Sequence, residues 1–369
     1  MRLSFCDYHI CTILGRTNPE KPLDLFLSDY FRSHKSIGAK DRRTIGKTLY
    51  EMTRWKSLID HFCPPYCSAE KRLEVFQQIS IESCFKDSSI PKPARFGVSP
   101  FLFQKFCSFL GEKKAEELCL TLNTEAPTTI RVNTLKISRS ELLKKWEGKF
   151  EMIPCAKSQT GIQFLRREPL FSLEEFKEGL FEVQDEASQL VAELIEIQPK
   201  EQILDYCAGS GGKTLAFAPK MKGSGQIYLY DKRSYVLLQA RKRLRRAGIQ
   251  NAQFCLPKKK VDWLVLDVPC SGTGTLRRNP DAKWKIDQPM IDRLVQEQRE
   301  IAKEALRFLK PNAKLVYITC SLLPEENEHQ VDFFLKTLPL KLEKTICLYP
   351  EKGGADGFFA AVFTHSLEL

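Results

Sequence analysis

The sequence predicts an α/β protein: a doubly wound, mostly parallel sheet preceded by a small α+β module and an N-terminal helical domain. Three observations carry that expectation. From about Asp185 onward, helix-like and strand-like stretches alternate, the rhythm of βα units that builds an open parallel sheet with helices on both faces. Within this region Trp263–Leu266 is an unbroken apolar run and Lys314–Thr319 reads as a second buried strand, as suits strands buried on both faces. Ahead of it, apolar residues recur at steps of three and four, the spacing of one helix face. The expected divisions are residues 1–90, helical; 91–184, a helical and α+β module; and 185–369, the parallel-sheet domain.

In the first division, Leu23, Phe26, Tyr30 and Phe31 predict one helix. Ile45, Leu49, Met52, Trp55, Ile59 and Phe62 predict a longer one, stopped by the tandem prolines of C-P-P-Y-C (Cys63–Cys67), which offer no amide donors. Lys71–Cys84 is expected to be helical, S-S-I-P-K-P (Ser88–Pro93) a linker, and Pro100–Leu122 helical again. T-T-I-R-V-N-T-L-K (Thr128–Lys136) alternates like a strand, a helix capped by Ser138 or Ser140 follows, and G-I-Q-F-L and L-F-E-V supply two short strands. Next come helix Glu186–Ile197, strand Gln202–Tyr206, a glycine-rich turn with its helix, strand Gln226–Tyr230 and helix Ser234–Ala247. A short strand near Asn251–Phe254, the strand at Trp263, and a long helix from about Pro289 to Leu309 continue the order. Strand Lys314–Thr319, helix Glu325–Lys336 and strand-like stretches to Thr364 complete it.

The chain has 369 residues, enough for two or three domains, and no segment approaches the roughly 18 consecutive apolar residues of a membrane span. Its first residues show no signal-peptide core, so the protein is expected in the cytoplasm, away from membranes. The net charge of +11 favours a nucleic acid as partner. Thirteen cysteines scattered through apolar segments are expected to be free thiols in a reducing compartment. Cys6, His9 and Cys11, even grouped with His61, Cys63 and Cys67, lack the usual ligand spacing, so no metal is expected. The chain is expected to act as a monomer.

I-L-D-Y-C-A-G-S-G-G-K-T (Ile203–Thr214) sets three glycines between a strand and a helix, a turn that lets backbone approach a ligand and aims amides at it. Neither the phosphate-loop spacing nor G-x-G-x-x-G is met. Some twenty residues on, Asp231 ends the next strand, where a carboxylate takes ribose hydroxyls. Turn and acid together suit an adenosine cofactor without a pyrophosphate, such as S-adenosylmethionine.

Two strands end in cysteines: V-D-W-L-V-L-D-V-P-C-S-G (Val261–Gly272) and K-L-V-Y-I-T-C-S (Lys314–Ser321). Ligands of doubly wound sheets bind at the carboxyl ends of the strands, which groups Asp267, Cys270 and Cys320 in one expected site. A thiolate, a second thiol and an acid suit chemistry on cytosine, whose carbon 5 becomes nucleophilic once a thiolate adds to carbon 6. The chemistry alone does not order the two thiols.

With these residues assembled, the chain resembles the RNA cytosine-5 methyltransferases of the Nop/Sun family, and among them the RsmB-like bacterial members that act on ribosomal RNA. D-Y-C-A-G-S-G-G-K-T, Y-D-K-R, D-V-P-C-S-G-T-G-T-L-R-R-N-P-D-A-K-W, Y-I-T-C-S-L-L-P-E-E-N-E and D-G-F-F-A-A carry the resemblance, which covers about Pro100 to the end. It implies a class I methyltransferase fold of Rossmann-like type, with Cys320 as nucleophile, Cys270 aiding product release and Asp267 supporting the cytosine ring. It also implies S-adenosylmethionine at Cys207, Ala208, Gly209, Ser210, Gly211, Gly212, Lys213, Asp231 and Asp267. The family turn usually reads C-A-A-P-G-G-K; Gly209-Ser210 replace Ala-Pro, which is expected to loosen it. The family's acid after the third strand is missing from Cys255–Lys260. G-A-K-D-R-R (Gly38–Arg43) and its amphipathic helix look more loosely like an antitermination-factor domain, which favours ribosomal RNA. Arg277, Arg278, Lys283 and Trp284 are the expected RNA contacts; R-K-R-L-R-R (Arg241–Arg246) and Lys258–Lys260 are further basic runs. The rival expectations are a non-catalytic RNA-binding assembly factor on the same fold, or a transfer RNA methyltransferase.

Overall fold

The computed structural model describes residues 3–16 and 21–366, and the chain divides into two compact units, residues 1–125 with 275–288 and residues 126–274 with 289–369. This differs from the expected boundaries. The helices Pro100–Leu110 and Glu112–Leu122 belong with the N-terminal helices, and the four-stranded module belongs with the parallel sheet. The basic segment after Gly274 belongs to the helical unit as well.

In the helical unit the long helix expected over Ile45–Phe62 is two, Ala39–Arg54 and Lys56–Phe62, with Trp55 between them outside helical geometry. The expected Lys71–Cys84 helix is likewise split into Ala69–Gln78 and Ile81–Cys84, each started by a serine whose hydroxyl accepts a backbone N–H. Ile10, Ile13, Leu27, Ile45, Leu49, Ile59 and Leu73 make the core. His9 pairs with the Tyr30 hydroxyl and Cys6 with Asp41, and among the described residues no three metal-ligating side chains gather.

The second unit holds two sheets. Strands β1 (Thr128–Val132), β2 (Met152–Pro154), β3 (Gly161–Phe164) and β4 (Phe181–Val183) form an antiparallel sheet in the order β2-β3-β1-β4. Its helix Arg139–Lys145 starts at Ser138 with a reciprocal capping box to Glu141, and Trp146, Phe164 and Phe181 fill the space beneath. The large sheet contains β5 (Gln202–Asp205), β6 (Gln226–Leu229), β7 (Ala252–Gln253), β8 (Val261–Asp267), β9 (Leu309–Thr319), β10 (Leu340–Leu348) and β11 (Phe358–His365). Its order is β10-β11-β9-β8-β5-β6-β7, with β5 to β9 parallel and β11 antiparallel to both neighbours.

Period-two alternation explains why β8 is apolar throughout. Trp263 and Val265 point into one core, with Ala240 and Leu244 of the helix Leu237–Ala247; Leu264 and Leu266 point into the other, with Ala302 and Ala305 of the helix Gln288–Leu306. From β5 the chain winds outward through β6 and β7, then returns to β8 on the other side of β5. That reversal opens a crevice at the carboxyl ends of β5 and β8, where Asp205 and Asp267 stand. Among the described residues no helix is long and apolar enough to cross a membrane.

Candidate active site

The turn after β5 is built by residues without side chains in the way. Gly209 and Gly211 sit at φ +51 and +80, and Gly211 packs so closely on the helix Leu237–Ala247 that a Cβ would lie 2.9 Å from Leu244 Cδ1. Gly209 N donates to Asp231 Oδ2 at 2.9 Å, tying the turn to the end of β6. Asp231 also accepts from the backbone N of Arg233 at 2.9 Å. Asp205 is buried; its Oδ2 accepts from the Thr214 hydroxyl at 2.7 Å, whereas Oδ1 has no hydrogen-bond partner. Burial pushes the Asp205 carboxyl up to about 7.

Lys213, nearly enclosed, crosses from this turn to β8: its Nζ lies 3.0 Å from Asp267 Oδ2 and 5.0 Å from the centre of the Phe358 ring. Next to this pair the two cysteines meet. Cys270 and Cys320, carried at the ends of neighbouring parallel strands, have their Sγ atoms 3.4 Å apart, and both thiols are free. The hydrogen bond between them polarises the pair. Acting as acceptor, with Lys213 also nearby, pulls Cys320 below the usual thiol range; donating to Cys320, together with burial, pushes Cys270 well above it. Cys207 is raised as well, by burial and then by the carboxylates of Asp205, Asp267 and Asp231. With Cys270 as the donor, Cys320 is the more acidic thiol of the pair.

A buried polar network that the sequence did not announce holds both cysteine loops. Glu326 accepts from Ser271 N at 2.9 Å and from Gln298 Nε2 at 3.0 Å, and its second oxygen takes the Ser271 hydroxyl. Gln298 Nε2 also reaches Pro269 O at 3.0 Å. On the other strand end, Thr273 Oγ1 accepts from Leu322 N at 2.7 Å, Asn327 Nδ2 donates to Ser321 O at 3.0 Å, and Gly274 N donates to Cys320 O at 2.9 Å. A detectable signal existed for Gln298: it occupies the buried stripe Ile291, Leu294, Gln298, Ala302, Ala305, a polar residue where the helix period calls for an apolar one.

Asp267, Cys270, Cys320 and the turn Cys207–Lys213 with Asp231 thus gather at one end of the sheet. The expected RNA contacts lie in the segment that belongs to the helical unit. Arg277 and Lys283 are buried within the helical unit, where no phosphate reaches them. Lys283 Nζ donates to Arg54 O and Gly97 O, each at 2.6 Å, and to Asn123 Oδ1 at 2.5 Å. Burial lowers its pKa, yet three acceptors around one nitrogen require the three N–H bonds of the ammonium. Trp284 is half-buried and donates to Thr53 O at 2.8 Å, with Lys56 over its ring; Arg278 is partly exposed. Arg277 and Lys283 are thereby corrected from RNA contacts to internal residues, because both side chains are buried.

Residues 192–364 match the family model described as 16S rRNA methyltransferase RsmB/F, and residues 100–169 match the ferredoxin-like domain of RsmF/B-like proteins. A "Probable ribosomal RNA small subunit methyltransferase B" of Synechocystis is 33% identical over 254 residues, covering 66% of this chain and 57% of that protein. A "Ribosomal RNA small subunit methyltransferase B" of Photorhabdus laumondii is 35% identical over 272 residues, covering 68% and 62%. The chain therefore spans about 57–62% of the length of these relatives. Among solved structures, a methyltransferase homolog protein from Pyrococcus horikoshii superposes with a TM-score of 0.66 at 27% identity, over 74% of this chain and 97% of that one. PH0851 superposes with a TM-score of 0.79 at 24% identity over 98% of this chain and 100% of its own, a likeness of fold.

Proposed function

The chain belongs, through residues 192–364, to the family of the 16S rRNA methyltransferase RsmB/F, and from that premise we propose that it methylates carbon 5 of a cytosine in RNA, with ribosomal RNA as the favoured substrate, through a covalent bond to Cys320. The observation that carries the reading is the pair of thiols 3.4 Å apart at adjacent strand ends, beside the Lys213–Asp267 ion pair.

The residues present fit S-adenosylmethionine. It carries a sulfonium and an ammonium, and three carboxylates, Asp205, Asp231 and Asp267, surround the Cys207 turn closely enough to raise that thiol. Asp205 Oδ1, buried and unpartnered, offers an acceptor, and Asp231 stands where a ribose is held in folds of this order. Bound there, S-adenosylmethionine supplies the methyl group.

The protein's own residues do the rest. The Cys320 thiolate adds to carbon 6 of the cytosine, and the electron pair of the ring double bond moves to carbon 5, making it nucleophilic. Asp267 supports the ring at nitrogen 3 during this addition, and Lys213 holds Asp267 in place. After carbon 5 has gained the methyl group, it loses its proton, the double bond re-forms, and the bond from carbon 6 to Cys320 breaks. Cys270 assists this release. The target base must stand outside any helix stack, which costs a few kcal/mol unless the strand is already single.

Cys320→Ala is expected to abolish methyl transfer, and Cys270→Ala to accumulate a protein–RNA adduct that survives denaturing electrophoresis. Methylation and adduct formation left untouched by both substitutions would refute the reading. RNA binding with no methyl transfer by the unaltered chain would favour an assembly factor. Bisulfite mapping of cellular RNA with and without the protein identifies the cytosine.

A further inference from the structure

Ser210 sits between two glycines of positive φ, and the turn that carries it was expected to be loose. It is instead gripped from one side by the helix Leu237–Ala247. Ala240, Arg243 and Leu244 lie at the three- and four-residue spacing of one helix face. Ala240 and Leu244 pack under Gly211, where a Cβ would lie 3.3 Å from Ala240 Cβ. Arg243 closes the grip: its Nη1 donates to Ser210 O at 3.0 Å and to Ser210 Oγ at 2.7 Å.

The other edge of the same guanidinium is anchored. Arg243 Nε and Nη2 donate to Glu182 Oε2 at 3.2 and 3.1 Å, and Glu182, buried on β4, takes Arg246 on its second oxygen. A planar cation held on both edges has little freedom left, so the position of Ser210 is set by a strand of the small sheet. The basic run Arg241–Arg246, which reads from sequence as a solvated or RNA-facing stretch, thereby commits two of its arginines to internal ion pairs.

We propose that Arg243 is a positioning residue for the cofactor turn, coupling Ser210 to Glu182 of the small sheet and holding the turn's amides in their binding geometry. The inference rests on the assignment of this turn to S-adenosylmethionine. It gives the small antiparallel sheet a part in cofactor binding, and it supplies the rigidity that the family's proline provides elsewhere.

The test uses the full-length chain and two readouts: equilibrium titration with S-adenosylmethionine, and hydrogen exchange of residues 207–213 without ligand. Arg243→Ala is expected to weaken binding about tenfold, the order of one charge-assisted hydrogen bond, and to speed exchange in the turn. Arg243→Lys is expected to behave like Arg243→Ala, because one ammonium does not span Ser210 and Glu182 together. Ser210→Ala removes only an exposed hydroxyl and keeps the fold; it is expected to weaken binding about threefold, and the double variant to bind no worse than Arg243→Ala alone. Unchanged affinity and exchange in Arg243→Ala overturn the proposal, as does full rescue by lysine or additivity in the double variant. If Arg243→Ala does not fold, unchanged affinity and exchange in Ser210→Ala overturn it. An unaltered chain that binds no S-adenosylmethionine sinks the assignment of the turn, while the exchange data still decide whether Arg243 orders it.

Discussion

Glu326→Gln is the sharpest probe of how the two cysteine loops are held together. The carboxylate takes Ser271 N, the Ser271 hydroxyl and Gln298 Nε2, and Gln298 in turn takes Pro269 O, so the turn on both sides of Cys270 hangs from one buried side chain. Glutamine keeps one oxygen for Ser271 N and Gln298, while its amide N–H₂ meets the Ser271 hydroxyl, which turns to accept. What is lost is charge assistance, worth about 1 kcal/mol for each bond, offset in part because a neutral amide is cheaper to bury. The net loss of stability is expected at about 1–2 kcal/mol, measured by urea unfolding, and the chain stays folded. Glu326→Ala, which takes the acceptor from Ser271 N, from the Ser271 hydroxyl and from one N–H of Gln298, is expected to lose about 3–5 kcal/mol. The functional consequence differs from simple destabilisation. Loosening the Cys270 loop leaves the attack by Cys320 in place and slows release, so turnover is expected to fall on the order of 10- to 100-fold while a covalent protein–RNA adduct accumulates. Full turnover without adduct in Glu326→Gln, in an assay where Cys270→Ala does trap adduct, refutes the clamp.

Lys283→Met leaves Arg54 O, Gly97 O and Asn123 Oδ1 without their donor and is expected to destabilise the helical unit by about 3–5 kcal/mol, seen as an earlier urea transition. The salt dependence of RNA binding is expected to stay the same in the folded variant; a slope shallower by about 0.7–0.9 would restore Lys283 as a phosphate contact. Asp205 gives a pH signature. Its folded pKa of about 7 lies above the ordinary 3.8, so between these values the unfolded chain holds fewer protons and stability falls as pH rises. Asp205→Asn removes that slope: its stability relative to the parent is expected to climb by up to about 4 kcal/mol from pH 4 to 7 and to level off above. A stability difference independent of pH, in urea unfolding at pH 4.5, 5.5, 6.5 and 7.5, refutes the burial argument.

The sequence by itself determined the parallel sheet, its strand and helix order from Glu186 to Phe363, and the chemistry-bearing groups at the strand ends. It did so because a strand buried on both faces leaves a bare apolar run, and because a tight turn beside a ligand leaves glycines. Each is a local constraint written in neighbouring residues. Trp55 shows the limit of such patterns: its apolar side chain keeps the helical spacing, yet its backbone ends one helix and precedes the next. Only the tertiary structure decided which basic residues are internal. Arg243 and Lys283 look alike in the sequence, each a cation in a basic stretch, but one binds a carboxylate 61 residues away and the other a carbonyl 229 residues away. The same holds for the thiols. Their 3.4 Å approach arises from the pairing of β8 with β9, and Lys213, reaching across from a third strand end, adds to the lowering of Cys320. Burial and partner are properties of the folded chain, and they decide whether a charge meets solvent, a ligand or its own backbone.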